Sequence, residues 1–330
     1  MLGTGVFIQF TTGVVALIGI FVCYGFIMGI GLGIGYLTPV KTLMLWFDKQ
    51  KGLATGISIM GFGLAKAIAT PFMELIQNKL GISAMFYILG GIYFVMMLIG
   101  HFLLKKPAGW VEPSRSENAF KSRDMFKNKT FIGIWLMFYI NIHCGLALIS
   151  YEKQILNTSF AICTAATLAV VISVVPSVTA AFNALGRIGF STLSDHLKDR
   201  NTIYKIIFSF SIIITAIAAI TGAICGSNRT TICCVIVVAL LILINAGYGG
   251  GFSTLPALLE SRFGMQNVSK IHGLALSAWA IAGLTGNNMS AVILQHSNQN
   301  YNLILFAILG FYIIALIIAF TLIGKSAKKN

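Results

Sequence analysis

Long apolar stretches follow one another through almost the whole of this 330-residue chain. A helix of about 18 apolar residues or more is long enough to cross the hydrocarbon core of a bilayer. Hydrophobic residues make up 57% of the sequence and charged residues only 10%, whereas soluble domains average about 25% charged residues. The sequence therefore predicts an all-α polytopic membrane protein that is surrounded by the lipid bilayer.

The apolar stretches fall into two groups on either side of a polar segment. Residues 105–129 contain Pro107, Pro113 and many charges, a composition that is typical of a linker. Four candidate spans precede it within residues 1–104, and six follow it within residues 130–330. The candidate spans are 1–16, 18–46, 52–76, 82–104, 130–150, 161–190, 204–225, 232–258, 271–293 and 300–323. The sequence thus predicts about ten helices in two membrane halves joined by a linker.

The basic residues are concentrated on one side of this layout. When residues 48–51, 105–129, 195–205, 260–270 and the C-terminal segment are assigned to one side, most of the 23 Lys and Arg residues lie there. The exceptions are Lys79, Lys153 and Arg229 on the other side, and Lys41, Lys66 and Arg187 in or beside spans. The positive-inside rule then predicts that both termini and the linker are cytoplasmic. This orientation accounts for the net charge of +14, so no nucleic-acid partner is expected.

Two positively charged residues lie inside predicted spans, whereas every acidic residue lies in a loop or near a span end. Lys66 lies near the middle of the third span, and Arg187 lies eight residues, or about 12 Å of helix, before Asp195. A charge at the bilayer centre costs about 2.5–3.5 kcal/mol on insertion scales, so it usually faces a cavity or a partner. We therefore expect an anionic substrate, with Arg187 holding a carboxylate through its planar fork.

Each of these two residues also has an alternative interpretation. Arg187 could snorkel to the cytoplasm or brace the loop that follows it. Lys66 could be paired with carbonyl groups or water and have no direct function.

Glycine and cysteine patterns bear on packing rather than on chemistry. The glycines between residues 25 and 35 recur at small-x-x-x-small spacing, which favours close packing of membrane helices. The six cysteines form neither a C-x-x-C pair nor a Cys/His metal spacing. We therefore expect them to act as small apolar residues, without a disulfide framework or a metal site.

Several segments resemble the oxalate/formate antiporter group of the major facilitator superfamily, which is similar to the monocarboxylate transporters. Residues 33–65, GIGYLTPVKTLMLWFDKQKGLATGISIMGFGLA, resemble the fourth and fifth helices of that group. FYINIHCGLALIS (138–150), FNALGRIGFSTLSD (182–195) and LALSAWAIAGLTGN (274–287) resemble its seventh, eighth and eleventh helices. The resemblance implies a fold of twelve helices in two halves. Since only ten spans are present, split four and six, it also implies that the first two helices are missing and that residues 1–104 form an incomplete bundle.

The resemblance further implies a gating loop after the eighth helix. The family pattern G-R-x-x-x-G-x-x-S-D-x-x-G-R-K/R is matched at Gly186, Arg187, Ser194 and Asp195, and we include Arg200 in the loop. Ser191 replaces the middle glycine, and Lys198-Asp199 replaces the usual Gly-Arg. In the superfamily this loop helps to hold the outward-open state, and Asp195 is expected to cap or pair at the following helix.

The implied substrate depends on how many positive charges the site has. Oxalate-type members bind a dicarboxylate between one cation on the eighth helix, matched here by Arg187, and one on the eleventh, where this chain has Ala282. Either Lys66 supplies the second charge, or the substrate is a monocarboxylate such as formate, lactate or pyruvate.

Polar and aromatic residues complete the candidate site. Tyr36, Tyr248 and Trp279 match family positions that face the cavity, where a hydroxyl or indole N–H can orient a carboxylate, although plain helix packing is the alternative. Asn141 and His143 lie in the seventh helix. His143 could carry a proton, or it could be a hydrogen-bonded packing residue.

These features predict a secondary transporter of small organic anions that works by alternating access and exchanges one carboxylate for another. Proton-coupled monocarboxylate symport is the alternative within transport, and a transport-inactive receptor or fragment is the alternative outside it. We expect no enzyme, because the spans show no paired carboxylates, no nucleophile with a base and no metal cluster. We also expect a monomer that needs no cofactor and lies in the plasma membrane rather than in an organelle membrane.

Overall fold

The computed structural model describes residues 1–111, 122–225 and 230–323, without the side chains of residues 66, 67, 70, 122 and 123. Within these ranges the regular structure is helical and contains no strand. Seven of the described helices are long and apolar enough to cross a membrane. The prediction of an all-α polytopic membrane protein is therefore confirmed.

The chain divides into two compact units. The first unit comprises Met1–Asp48 and Leu64–Glu112, and the second comprises Lys49–Gly63 and Pro113–Asn330. The start of the long helix after residue 50 thus packs with the second unit. The division into residues 1–104, 105–129 and 130–330 stays a prediction.

The first unit is built on a helical hairpin and a small apolar core. Leu2–Phe10 (α1) is followed by Gly13–Ile20 (α2), which continues through a π-helical turn at Phe21–Ile27 into Met28–Trp46 (α3). Its core contains Ile76, Met85 and Leu89, with Met1, Met73, Phe86 and Ile88 packed against it. The expected span at residues 1–16 is wrong in length, because the backbone becomes extended at Thr11 and Gly13 then adopts a positive φ of 59°.

Helix Lys51–Leu103 (α4) contains two of the expected spans, 52–76 and 82–104. Gly81 interrupts it with φ 84° and ψ 169°, values that only glycine adopts readily. The break falls where the sequence predicts the end of one span and the start of the next.

The second unit holds the remaining helices. They are Ser122–Met125 (α5), Lys129–Ile149 (α6), Glu152–Ser159 (α7), Ala165–His196 (α8), Asn201–Cys225 (α9), Thr231–Phe263 (α10), Val268–Ala275 (α11), Ser277–His296 (α12) and Tyr301–Thr321 (α13). Helix α6 is the most buried of the candidate spans and packs against α10, α12 and α13. The expected span at 271–293 is divided between α11 and α12 at Leu276, and the short helix α7 is not among the predicted elements.

Side-chain caps fix several helix starts in the second unit. Asn128 accepts a hydrogen bond from the Phe131 amide at the start of α6, and Thr164 accepts one from the Thr167 amide at the start of α8. Such caps satisfy amide groups that have no partner within the helix, which matters most where water is scarce. The predicted spans do not include these capped helix starts, because apolar content alone does not identify the capping residue.

Hydrogen bonds between helices hold the second unit together. The Tyr204 hydroxyl donates to the Gly251 carbonyl over 2.6 Å, and the side-chain amide of Asn201 donates to the Ala319 carbonyl over 2.8 Å. The Ser290 hydroxyl donates to the Ala147 carbonyl over 2.9 Å. In a bilayer, where lipid is as apolar as leucine, such contacts and close packing replace the hydrophobic driving force between helices.

Glycines bring α8 and α10 into backbone contact. A Cβ atom on Gly186 would collide with the Ala246 carbonyl, and one on Gly249 would collide with the Asn183 carbonyl. By contrast, Cβ atoms at Gly29, Gly31 and Gly33 would meet nothing within 4 Å among the described residues. The close backbone approach in this part of the chain is therefore between α8 and α10, and close packing at the glycine run of residues 25–35 stays a prediction.

We expect the Gly186→Ala substitution to lower the apparent melting temperature of the purified protein. The added methyl group must displace the Ala246 backbone, and overpacking of this kind costs about 1–3 kcal/mol. Thermal unfolding in detergent measures the effect. Gly189→Ala is the matched control on the same helix, because its Cβ would meet nothing within 4 Å. Equal melting temperatures for the two variants would contradict the close packing of α8 on α10.

Candidate functional site

Arg187 is buried on α8, with 9% of its surface exposed. Its Nε donates a 3.0 Å hydrogen bond to Asn183 Oδ1, one turn earlier on the same helix. Its Nη1 donates a 2.8 Å hydrogen bond to the Ile59 carbonyl on α4. Both acceptors are neutral oxygens, and the two hydrogen bonds orient the guanidinium. The alternative in which Arg187 snorkels to the cytoplasm is wrong, because the side chain is turned onto a neighbouring helix.

Aromatic side chains lie beside this guanidinium. The Arg187 Cζ atom is 5.4 Å from the centre of the Phe252 ring, and Phe252 meets Trp279 edge to face with ring centres 5.4 Å apart. The Tyr248 hydroxyl lies near both the Arg187 guanidinium and the Trp279 indole. The structure therefore brings together three of the predicted residues, Arg187, Tyr248 and Trp279.

Trp279 is the exposed member of this group, with 37% of its surface accessible. Phe252, by contrast, is 5% exposed and separates the guanidinium from the indole. A buried cation over an aromatic face gains electrostatic stabilisation from the ring. The group thus runs from a buried charge to a partly exposed aromatic side chain.

Asn183 and Phe252 contact Arg187 in the candidate site, and the sequence interpretation did not include them. Asn183 could have been found, because a polar residue four positions before a buried arginine faces it on a helix. Phe252 gives no such signal, because its contact with Arg187 depends on how α10 packs on α8.

Asn141 and His143 make contacts that are typical of helix packing. The Asn141 amide donates to the Tyr248 carbonyl over 3.4 Å, and a Cβ atom on Gly251 would collide with that amide. His143 Nδ1 lies 3.0 Å from the Thr285 hydroxyl, and its ring lies 4.8 Å from the ring of Phe311. These contacts fasten α6 to α10, α12 and α13.

Tyr36 and Lys66 are not placed relative to Arg187. Tyr36 is buried on α3 in the first compact unit, whereas Arg187 belongs to the second. Lys66 lies on α4, and its side chain falls outside the described part of the structure. Their roles in binding stay predictions.

A buried carboxylate is also present in the second unit. Glu152, at the start of α7, is 8% exposed and accepts a 2.6 Å hydrogen bond from the Thr179 hydroxyl. Thr179 precedes Arg187 by eight residues, about 12 Å of helix. Glu152 therefore contacts the middle of α8.

The predicted gating loop holds the start of α4. Asp195 accepts hydrogen bonds from the backbone amides of Gly52 over 2.8 Å and Leu53 over 2.9 Å, one on each carboxylate oxygen. These amides lie in the first turn of α4, where they have no partner within the helix and where the helix dipole favours a negative charge. Asp195 is therefore a cap supplied by a distant part of the chain.

Arg200 and Ser194 complete this arrangement. Arg200 Nη1 lies 2.7 Å from Asp195 Oδ1 and donates a 2.8 Å hydrogen bond to the Ser194 hydroxyl. The Asp195 side chain is 4% exposed and that of Arg200 16%. Contacts at this burial are screened less by water and salt than surface ion pairs are.

Of the two expected roles of Asp195 at the following helix, capping is not seen, whereas pairing is, because Arg200 directly precedes α9. The Asp199 carboxylate accepts a 3.0 Å hydrogen bond from the backbone amide of Asn201 at the start of α9. Arg262 of α10 pairs with the same carboxylate over 2.7 Å. Asp195 instead pairs with Arg200 in the loop and caps α4. An Asp two residues before a backbone amide is the common local cap, whereas Asp195 is turned away toward α4.

Comparison with known proteins gives the family. The model for the Major Facilitator Superfamily matches residues 1–287, so the chain belongs to this superfamily of membrane proteins and the resemblance is confirmed. The chain is 24% identical over 294 residues to the oxalate:formate antiporter of Oxalobacter formigenes, covering 87% of this chain and 66% of that protein.

Other relatives point the same way. The chain is 22% identical over 332 residues to apicoplast pyruvate carrier 1 of Toxoplasma gondii, covering 79% of this chain and 57% of that protein. It is 26% identical over 145 residues to monocarboxylate transporter 2 of Meriones unguiculatus, covering 44% of this chain and 30% of that protein. The chain thus spans less than two thirds of the length of each of these relatives.

We expect the Asp195→Asn substitution to destabilise the protein by about 1–3 kcal/mol, the usual effect of losing a buried charged acceptor. The amide that replaces the carboxylate keeps the size but offers one acceptor where two backbone amides and Arg200 converge. Thermal unfolding in detergent measures the change. Asp124→Asn is the control, because Asp124 and Lys127 form an exposed pair. A loss in Asp195→Asn no larger than in the control would show that the cap is unimportant.

Proposed function

We propose that the chain is a secondary transporter of small organic anions that exchanges one carboxylate for another by alternating access. The observation that carries the proposal is the burial of Arg187 on α8 with hydrogen bonds to neutral acceptors, beside Tyr248, Phe252 and Trp279. The family supports it, because superfamily relatives bear the names of an oxalate:formate antiporter and a pyruvate carrier.

The charge of Arg187 is the reason to expect an anion. Removing a cation from water is costly, and neutral hydrogen bonds compensate only part of the lost hydration. An entering carboxylate supplies the opposite charge in a region where Coulomb interactions are weakly screened. A guanidinium presents five donors in one plane, so it can hold the Asn183 and Ile59 oxygens and a carboxylate together.

The second charge of the site decides the substrate class. This chain has a fully buried alanine at position 282. The oxalate-type members that the chain resembles have a cation at the matching position. With one fixed cation the site favours a monocarboxylate such as formate, lactate or pyruvate. Lys66 is the residue that we propose as a second charge if dicarboxylates bind as well.

The partner of Arg187 favours exchange over proton coupling. The Asn183 side chain neither takes up nor releases a proton, so an anion can bind beside it without a compensating protonation. A loaded site then carries less net charge than an empty one and changes conformation more easily. Proton-coupled symport is the second candidate and would use His143, whose ring is hydrogen-bonded to Thr285 between α6 and α12.

The loop contacts supply a candidate gate for this cycle. Asp195 and Arg200 hold the first turn of α4, while Lys51 at the same helix start pairs with Glu260 of α10 over 2.9 Å. We propose that these contacts are broken and remade as the transporter changes conformation. Gly186 and Ser194 position the loop, the first through its contact with α10 and the second through its hydrogen bond from Arg200.

The orientation and organisation of the chain in the membrane are part of the proposal. We place both termini in the cytoplasm and the protein in the plasma membrane, because the basic residues are concentrated in the segments assigned to that side. We further propose a four-span half at residues 1–104, a cytoplasmic linker at 105–129 and a six-span half at 130–330, acting as a monomer.

We expect Arg187→Gln to weaken carboxylate binding by at least about tenfold, because charged hydrogen bonds contribute about 1.5–3 kcal/mol. Binding of radiolabelled formate, pyruvate and oxalate to the purified protein measures the loss, and exchange in loaded proteoliposomes measures transport. Lys153→Gln removes the same charge from an exposed position and serves as the control. Undiminished affinity in Arg187→Gln would refute the site, and uptake driven only by a pH step would favour symport.

We expect Asn183→Asp to weaken binding at neutral pH and to make binding stronger as the pH falls. The introduced carboxylate would lie where Asn183 Oδ1 now accepts from Arg187 Nε and would neutralise the guanidinium. An added anion could then bind only when that carboxylate takes up a proton, so affinity becomes linked to pH.

Asn183→Ala provides the matched control. It removes the same hydrogen bond but adds no charge, so its affinity should stay within a few-fold of the parent protein and show no new dependence on pH. An Asn183→Asp protein that binds carboxylate as tightly as the parent at neutral pH would contradict a site based on the charge of Arg187.

A further inference from the structure

Two cysteines meet where α9 ends and α10 begins. The Sγ atoms of Cys225 and Cys233 lie 2.6 Å apart, although the residues belong to different helices. Cys225 is the last residue of α9, and Cys233 is the third residue of α10. The chain between them is short, so both side chains lie at the same end of the helix pair.

The position of Cys233 is fixed by the helix that carries it. Thr230 caps α10 by accepting a 3.4 Å hydrogen bond from the Cys233 amide, and the Thr230 hydroxyl also lies 3.2 Å from Cys233 Sγ. Cys233 is 2% exposed, whereas Cys225 is half-buried. A thiol or disulfide reagent from solution therefore reaches the Cys225 sulfur more easily than the Cys233 sulfur.

The neighbouring Cys234 has a different environment, although it is adjacent in sequence. Its Sγ lies 3.2 Å from the Ser159 carbonyl, at the end of α7. Cys144 is similarly directed toward a backbone carbonyl, that of Ile308, at 3.9 Å. These two sulfur atoms contact backbone oxygens between helices, as expected of small apolar residues, whereas Cys225 and Cys233 contact each other.

We propose that Cys225 and Cys233 form a disulfide bond that ties the end of α9 to the start of α10. Disulfide sulfur atoms lie about 2.05 Å apart, so the side chains need only a small adjustment to bond. The orientation that we propose from the basic residues places the connection between α9 and α10 on the exterior side of the membrane, where disulfides persist. The bond departs from the expectation that the cysteines form no disulfide.

The reaction is a thiol–disulfide exchange with an external low-molecular-weight disulfide. The Cys225 thiolate attacks one sulfur of that reagent and releases its first thiol, giving a mixed disulfide. The Cys233 thiol then loses its proton, attacks Cys225 Sγ and releases the second thiol. Two protein thiols are oxidised to one disulfide, and one reagent disulfide is reduced to two thiols.

Differential thiol labelling of the full-length chain tests the bond. The purified protein is incubated with oxidised glutathione, denatured, and its thiols are blocked with N-ethylmaleimide. It is then reduced and treated with a heavy-isotope maleimide before peptide mass spectrometry. We expect the heavy-isotope maleimide on Cys225 and Cys233, and N-ethylmaleimide, which we call the first label, on Cys144 and Cys234. In addition, reduction should lower the apparent melting temperature of the oxidised protein.

Serine variants provide the controls. In Cys225→Ser, Cys233 should carry the first label, and reduction should no longer change the melting temperature. In Cys234→Ser, the heavy label should stay on Cys225 and Cys233. The proposal is overturned if Cys225 and Cys233 carry the first label after treatment with oxidised glutathione, or if either is found bonded to Cys234.

Discussion

The hydrogen bonds that hold Arg187 in place are the interaction on which the rest of the site depends. The guanidinium is buried, and it donates hydrogen bonds to the oxygens of Asn183 and Ile59, which orient it. A carboxylate at either position would make the arginine a structural ion pair. Because these two acceptors are an amide and a backbone carbonyl, neither of them brings a negative charge to the guanidinium.

Helix α8 connects this charge with the predicted gate. Arg187 and Asp195 are two turns apart on its last third, and both contact α4: Arg187 through the Ile59 carbonyl and Asp195 through the Gly52 and Leu53 amides. Movement of α8 relative to the start of α4 would therefore disturb both sets of contacts. The backbone contact of Gly186 with α10 means that α10, with Phe252, would follow α8.

Much of the fold could be predicted because apolar length is a strong signal in a membrane. The predicted spans 130–150, 204–225 and 300–323 match α6, α9 and α13 to within a few residues. The prediction was wrong where local backbone geometry decides, as at Thr11 after α1, where the backbone becomes extended. Apolar residues lie on both sides of such a break, so an apolar run alone does not reveal it.

The site was only partly predictable for a related reason. A buried arginine is visible in a sequence because charge is rare in a span, and Arg187 was identified in this way. Its contact with Phe252 and the capping of α4 by Asp195 join residues that are far apart in the chain, so they depend on packing. The glycines that allow this packing lie at 186 and 249, and not in the more conspicuous run at 25–35.

A structure determined with bound formate or oxalate is the most direct measurement of the central claim. We expect the carboxylate oxygens to lie about 2.7–2.9 Å from the guanidinium nitrogens of Arg187, near Tyr248 and Trp279. A carboxylate bound elsewhere, with Arg187 still directed only at Asn183 and Ile59, would contradict it.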